Sequence, residues 1–234
     1  MASNLIRRPG MSDRRVVPTY AISEASGYLS VPASTLRWWF CGQSERRNRK
    51  GYEPIFQGAD QDAGLLSFFN LVEAHILSSL QIEYTAMRTN SVRRALDSVR
   101  RKSPEKAHPL VTENFYTDGK ALFQKELENQ DAKDALIVNA TLGGQTVLSV
   151  MDESLKLINY ESGFAFKLFP KRGNRVIVLN PRVSAGRPTV SGAGVLASII
   201  RQRAYAGEPE EDLARDYSLT LREIQEAIKF SDAA

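Results

Sequence analysis

Near the start of the chain, the spacing of apolar and polar residues predicts two short helices separated by a tight turn. The apolar face of the first helix consists of Ile22, Ala25 and Leu29. Ser23 is placed to cap this helix, and Gly27 and Tyr28 are placed to end it. Pro32 can occupy the first turn of the second helix. The inward face of the second helix consists of Leu36, Trp39 and Phe40. This spacing is that of a helix-turn-helix.

Two adjacent tryptophans lie on the second helix. Neighbouring residues on a helix point about 100° apart, so Trp38 and Trp39 cannot both face the same core. Trp39 keeps phase with Leu36, which assigns it to the core and leaves Trp38 as a surface residue that could contact a DNA groove or a partner. Packing of both rings in the core is the alternative.

The rest of the chain predicts a mainly helical α+β fold. Residues 43–57 combine the basic run SERRNRKG with the β-rich piece YEPIFQ, which predicts a hairpin with a charged tip, or wing. Residues 65–84 and 91–102 predict amphipathic helices, the second of them closed by Pro104. Between them and the C-terminal part, short β-like runs alternate with helical pieces near 121–127 and 150–158.

Composition shifts divide the chain into four predicted segments. Residues 1–17 predict a flexible basic arm, and residues 18–104 a winged helix-turn-helix domain. Residues 105–175 predict a mixed α/β connecting segment. Residues 176–234 predict a small helical, helix-turn-helix-like domain. It is led by the strand VIVLN and a Gly/Pro-rich connection, and helices near 193–206, 209–216 and 220–229 follow.

Positive charge is concentrated at the N-terminus. The net charge is +4, but the first 50 residues hold nine basic residues against three acidic ones, so the remainder is slightly acidic. Such local basic character is typical of a surface that contacts phosphates. An Arg-rich tail that simply stays solvated is the alternative explanation.

The second helix and the basic run supply the candidate DNA contacts. Residues near the N-terminus of the second helix of a helix-turn-helix reach base edges, and wing residues contact the backbone or the minor groove. The candidates are Ser34, Thr35, Arg37, Trp38, Arg46, Arg47, Arg49 and Lys50. Arg37 fits either a guanine edge or a phosphate. A helical hairpin with a basic loop and no DNA partner is the alternative.

Residue chemistry gives no indication of catalysis. The chain has one cysteine, Cys41, and two histidines, His75 and His108, which predicts no internal disulfide and no closed zinc site. The glycine-rich stretches lack the Gly-Lys-Ser/Thr ending of a phosphate-binding loop. The acidic residues after Ala206 surround a predicted helix start, where carboxylates interact favourably with the helix dipole, so they need no catalytic explanation. We therefore expect no catalytic residue, metal or cofactor. No apolar run is long enough to span a bilayer, and no signal peptide is evident, so a cytoplasmic protein is expected.

Residues 20–39, YAISEASGYLSVPASTLRWW, resemble the opening of MerR-type helix-turn-helix proteins. The shared features are the tyrosine, the Ser-Glu-Ala helix start and the Thr-Leu-Arg-Trp of the recognition helix. The resemblance implies a winged domain that binds palindromic operator DNA as a dimer. Unlike MerR regulators, the chain has no long coiled-coil helix and no effector-binding cysteine cluster.

Residues 176–230 resemble the domain-of-unknown-function 433 family of VapB-type antitoxins. The matching elements include Asn180-Pro181-Arg182, Gly186-Arg187-Pro188, Ala206-Gly207-Glu208 and Asp216-Tyr217. The resemblance implies a non-enzymatic antitoxin that binds a PIN-type ribonuclease toxin, represses its own operon and forms a homodimer. The candidate toxin or dimer contacts are Arg182, Arg187, Pro188, Tyr217, Ile224 and Ile228. A stand-alone transcription regulator without a toxin is the alternative.

Overall fold

The computed structural model describes residues 13–42, 51, 53–79, 90–128, 147–171 and 174–230. The helices are α1 (Ile22–Leu29), α2 (Ala33–Phe40), α3 (Phe68–Ser79), α4 (Asn90–Lys102), α5 (Lys120–Glu128), α6 (Val147–Leu155), α7 (Ala197–Tyr205), α8 (Glu210–Tyr217) and α9 (Leu221–Lys229). The strands are β1 (Tyr20–Ala21), β2 (Leu65–Leu66), β3 (Ile158–Glu161), β4 (Phe164–Leu168), β5 (Ile177–Val178) and β6 (Thr189–Val190). The predicted fold class, mainly helical α+β, is confirmed.

The start of α1 differs from the prediction. Ala21, not Ser23, is the N-cap residue, and the Glu24 carboxylate accepts a hydrogen bond from the Ala21 N–H at 2.9 Å. An acid in the first turn thus satisfies a backbone donor that the helix leaves free. The helix also continues through Gly27 and Tyr28 to Leu29, so the predicted end was one residue too early.

Helix α3 lies at the centre of the described fold, with nearly every side chain buried. Its start is fixed by Asn70, whose Oδ1 accepts from the backbone N–H groups of Ser67 and Ala59 at 3.1 Å. The Asn70 amide also donates to the carbonyl of Gln57 at 2.9 Å. The two leucines before α3, predicted as helical, instead form β2 and pair antiparallel with β1.

The middle of the chain is mixed α/β, as the sequence predicts, but its elements are partly different. The β-like run LVTENFY contains a 3₁₀ turn at Pro109–Val111 and leads into a π-helix at Phe115–Gly119. The predicted helix near 150–158 begins earlier, as α6, and gives way to β3 at Ile158. Strand β4 confirms the run GFAFKLFP and pairs antiparallel with β3. The β-like run ALIVNATLG lies outside the described residues.

The C-terminal part is a strand-led helical unit, as predicted. Strands β5 and β6 pair antiparallel, and the three helices α7, α8 and α9 follow. In the described part of the chain, no helix has the length and apolarity that crossing a membrane would need.

The predicted domains share a hydrophobic core. One cluster of buried residues includes Tyr20 from the N-terminal part, Phe164 from the middle and Phe230 at the end of α9. The Tyr20 hydroxyl donates to the carbonyl of Gly186 at 3.1 Å, and the rings of Tyr28 and Phe230 lie 6.0 Å apart. The C-terminal unit therefore packs directly on α1.

Candidate nucleic-acid interface

A tight turn joins α1 to α2. Ser30 adopts the left-handed conformation (φ 54°, ψ 38°) and ends α1. The N–H of Val31 then donates back to the carbonyl of Ser26 at 3.2 Å, which satisfies a carbonyl in the last turn of the helix. Pro32 is the N-cap residue, one position before the first helical turn in which it was expected.

Helix α2 presents the predicted polar residues to solvent. Ser34 and Arg37 are exposed, and Thr35 is half-buried. Leu36, on the opposite side of the helix, is completely buried. The first two turns of α2 thus carry two exposed polar side chains at i and i+3, which share one face of a helix.

The prediction that one tryptophan is surface-accessible is wrong. Trp38 is 4% exposed and Trp39 is 2% exposed. Core packing of both rings is possible because α2 is covered on two sides: Trp39 lies with Phe40 toward the core, and the guanidinium of Arg93 from α4 lies over the Trp38 ring at 5.9 Å. A buried Trp38 is not placed to contact a DNA groove.

Helix α4 anchors the last residues of the segment predicted as a wing. Arg93 donates to the carbonyls of Glu53 and Pro54, and Arg100 donates to the carbonyl of Ile55 at 3.3 Å. The N–H groups of Ile55 and Phe56 both donate to the carbonyl of Trp39, at 2.8 and 3.0 Å. The described residues 53–57 contain no strand, so this part of the expected β-rich piece is an irregular segment. The wing candidates Arg46, Arg47, Arg49 and Lys50 lie outside the described residues.

Cys41 ends α2 and is half-buried. Burial raises the pKa of its thiol, against the opposing charge of Arg37. The thiol therefore stays protonated near neutral pH. Among the described residues, no group of three or more histidine, cysteine or acidic side chains is placed to hold a metal ion.

The C-terminal unit contains a second turn with the same backbone as the first. Ser218 adopts the same left-handed conformation (φ 53°, ψ 43°), and the N–H of Leu219 donates to the carbonyl of Ala214 at 2.9 Å. Thr220 caps α9 at the position equivalent to Pro32. All of these residues lie 188 positions after their counterparts in the first turn. Helices α8 and α9 are therefore joined by the same kind of tight turn as α1 and α2.

The two units share core positions but differ in charge. The buried Leu36 of α2 corresponds to the buried Ile224 of α9. Residues 22–41 carry one basic side chain and one acidic side chain, and the basic run Arg46–Lys50 follows them, whereas the matching residues 210–229 carry three basic side chains against six acidic ones. The second unit is therefore the more acidic of the two.

The residues predicted to contact a toxin or a second copy fall into two groups. Pro188 and Ile224 are buried in the fold, which corrects their prediction as contacts: they are packing residues of the C-terminal unit. Arg182 and Arg187 are exposed, and Tyr217 and Ile228 are half-buried.

Arg187 belongs to a contact within the chain that the sequence did not reveal. Its guanidinium pairs with the Glu24 carboxylate of α1 at 3.2 Å, beside the hydrogen bond from Tyr20 to Gly186. Tyr20 and Gly186-Arg187-Pro188 each belong to a stretch that resembles a different family. Nothing in their spacing indicated that the two stretches meet.

The comparisons with known proteins agree with this architecture. Residues 177–231 match the family model "Protein of unknown function (DUF433)", which confirms the resemblance of the C-terminal unit to that family. The chain is 27% identical over 227 residues to "Putative antitoxin VapB45" of Mycobacterium tuberculosis, covering 91% of this chain and 93% of the relative. It is also 27% identical over 233 residues to "Uncharacterized protein Rv2308" of the same organism, covering 94% and 92%.

A solved structure has the same fold. The crystal structure of Rv2018 from Mycobacterium tuberculosis superposes with a TM-score of 0.68 at 23% sequence identity, covering 91% of this chain and 98% of that one. The MerR-type resemblance of residues 20–39 stays a prediction.

Proposed function

We propose that this chain is the antitoxin of a toxin-antitoxin pair, and that it binds operator DNA through α1 and α2 and a PIN-type ribonuclease toxin through its C-terminal unit. The observation that carries the antitoxin role is the similarity to "Putative antitoxin VapB45", because it extends over nine-tenths of both chains. The match of residues 177–231 to the DUF433 family supports the same role. The protein acts by binding alone, as a homodimer on a palindromic operator.

The assignment of DNA to the first helix-turn-helix is supported by exposure and charge. Ser34 and Arg37 face solvent on α2, and a strongly basic run follows that helix. Hydroxyl and guanidinium groups near the start of a recognition helix suit base edges and phosphates. The anchoring of residues 53–56 to α2 and α4 fixes where the basic run returns to the fold.

The assignment of the toxin to the C-terminal unit is supported by its acidic character and by exposed apolar side chains. Excess carboxylates around α8 and α9 repel DNA phosphates. Ile199, Tyr205 and Leu221 are large apolar residues of α7 and α9 that remain 41%, 78% and 44% exposed. Half-buried Tyr217 and Ile228 lie on the same unit. Exposed aromatic and aliphatic side chains are typical of protein interfaces.

The DNA part of the proposal is tested by substituting matched arginines. We expect Arg37→Ala to weaken binding to the operator by about 10- to 100-fold and to relax preference at one base pair if the contact is bidentate. The control is Arg222→Ala, since Arg222 is an exposed arginine in the first turn of α9. Electrophoretic mobility shift on promoter fragments measures both. Equal loss in the two variants contradicts the assignment of DNA to α2.

The toxin part is tested by co-expressing the tagged chain with the product of the neighbouring reading frame. We expect the two proteins to elute together in size-exclusion chromatography, and Leu221→Asp to separate them while operator binding is kept. DNA binding without a co-eluting partner contradicts the antitoxin role and favours a stand-alone transcription regulator.

A further inference from the structure

A recess of about 260 Å³ lies where the N-terminal segment meets the C-terminal unit, away from α2. It is lined by Asp13, Arg14, Arg15, Phe166, Pro181 and Arg182. These residues come from three parts of the chain: the start of the described fold, strand β4 and the turn after β5. The fold therefore brings the adjacent Arg14 and Arg15 together with Arg182, which is far from them in sequence.

The recess is rich in cations. Lys167 lies beside it, with its ammonium group 5.2 Å from the centre of the Phe166 ring, and the guanidinium of Arg182 lies 5.8 Å from the same ring. Two carboxylates accompany these groups, Asp13 and Glu161. The side-chain hydrogen bond and charge of Arg182 lower the pKa of Glu161, and contacts with Arg15 outweigh burial to lower the pKa of Asp13. Four cations against two ionised carboxylates leave an excess of two positive charges.

The guanidinium of Arg15 is held in a fixed position at the edge of the recess. Its guanidinium donates to both oxygens of Asp13, with distances of 2.6 to 3.1 Å. The same group lies 5.4 Å from the ring centre of Phe69 and 5.5 Å from that of Phe164. A guanidinium held by a carboxylate and two rings keeps its orientation without a ligand.

Arg14 and Arg182 are the groups that can move to an anion. Arg14 is exposed and makes no ion pair with any described residue. Arg182 pairs with Glu161, but the two side chains are 62% and 43% exposed, and exposed pairs contribute little to stability. The backbone N–H of Arg182 donates to Asn180 Oδ1 at 3.0 Å, which holds the turn in place while the side chain stays exposed.

We propose that this recess binds a phosphate group, with Arg14 and Arg182 as its mobile ligands and Arg15 as a fixed positive wall. The excess of two charges matches a phosphate monoester dianion, and the forked donors of arginine match phosphate oxygens. The phosphate belongs either to a nucleic acid or to a small phosphorylated molecule. This site is independent of the function proposed for α2 and for the C-terminal helices.

The test is calorimetric titration of the full chain with inorganic phosphate at pH 7.5 in a phosphate-free buffer. We expect saturable binding that Arg14→Ala/Arg182→Ala weakens at least about tenfold, the equivalent of one lost charged contact. Arg222→Ala, which removes an exposed arginine elsewhere, leaves the affinity unchanged. Glu161→Gln removes the carboxylate that competes for Arg182 and tightens binding several-fold. Absence of saturable binding to the unaltered chain, or equal binding by the double variant, overturns the site.

A second titration, with duplex DNA at several salt concentrations, distinguishes the two sources of the phosphate. If the phosphate belongs to DNA, the double variant lowers the salt dependence of DNA binding by roughly the two charges removed. If it belongs to a small phosphorylated molecule, the double variant loses inorganic phosphate while its DNA binding stays unchanged. Both results support the recess as a phosphate site.

Discussion

Gly186 combines a left-handed backbone with a very close neighbour. Its φ is +80°, and a Cβ at this position would lie 2.0 Å from the Tyr20 hydroxyl oxygen. We expect Gly186→Ala to lower the free energy of unfolding by at least about 2 kcal/mol, because backbone strain adds to the loss of the hydrogen bond between Tyr20 and Gly186. Urea denaturation measures the loss.

A second glycine separates backbone strain from the close contact. Gly192 has a similar φ of +86°, but a Cβ there would meet nothing within 4 Å. Gly192→Ala therefore costs only the strain, about 1 kcal/mol. If the two variants lose the same stability, the close contact of Gly186 with Tyr20 contributes nothing to the stability of the fold.

A buried acid and histidine make stability depend on pH. Glu73 is completely buried, and its Oε2 lies 3.1 Å from Nδ1 of His108. Burial raises the pKa of Glu73, and the carboxylate of Glu73 outweighs burial to raise the pKa of His108. The folded state therefore binds more protons than the unfolded state, and stability falls as pH rises.

Protonated His108 adds to the free energy of unfolding. This stabilisation is fully present below the unfolded pKa of His108, near 6.5, and is lost as pH rises through its higher folded pKa. We expect the difference in unfolding free energy between the unaltered chain and His108→Gln to shrink between pH 6 and pH 9. Urea denaturation at each pH measures it. A difference that does not change with pH would show that His108 keeps its unfolded proton affinity in the fold.

At the scale of the elements, the turn between α1 and α2 and the turn between α8 and α9 both depend on a serine in the left-handed region. Ser30 and Ser218 have φ of 54° and 53°. Glycine adopts this conformation without a Cβ penalty, so we expect Ser30→Gly to raise the free energy of unfolding by about 0.5 kcal/mol and Ser30→Val to lower it by about 1 to 2 kcal/mol. Thermal melts compare these variants with Ser26→Gly, a helix-interior control that should lose about 1 kcal/mol. A loss with Ser30→Gly would contradict the conformational argument.

The sequence predicts the elements better than it predicts their contacts. Helices α2, α4 and α7 to α9 follow from apolar spacing, because each has one buried face and one polar face. Apolar spacing does not predict the burial of Trp38, because its ring is covered by Arg93 of α4, more than 50 residues later in the chain. Apolar spacing also fails for the run LVTENFY, where tertiary packing selects a 3₁₀ turn and a π-helix over the β-like pattern.

In the candidate site too, the sequence predicts local features but not tertiary contacts. Ser34 and Arg37 could be placed on an exposed helix face from the local pattern alone. Pro188 and Ile224 could not be separated from surface residues, because their burial depends on how β6, α7 and α9 pack together. The recess around Arg15 needed the full tertiary structure, since only the fold brings Arg182 to the segment of Arg14 and Arg15.

At the scale of the whole molecule, the shared core makes the two ends of the chain depend on each other. The sequence predicts that residues 18–104 form a domain of their own. In the structure, Tyr20 of β1 and Tyr28 of α1 are buried in contact with Gly186 and Phe230 of the last segment. Helix α1, which packs against α2, is thus stabilised by the C-terminal unit.

Removing residues 176–234 would expose the buried faces of Tyr20 and Tyr28. Each large side chain returned to water costs about 1.5 to 3 kcal/mol, and the broken hydrogen bond adds to that loss. We therefore expect the shortened chain to lose several kcal/mol of stability and to bind operator DNA more weakly than the full chain, although α2 itself is unchanged. Urea denaturation and mobility shift measure the two effects. A shortened chain that keeps both its unfolding midpoint and its operator affinity would show that residues 18–104 are an independent domain and that the contacts with Gly186 and Phe230 are dispensable.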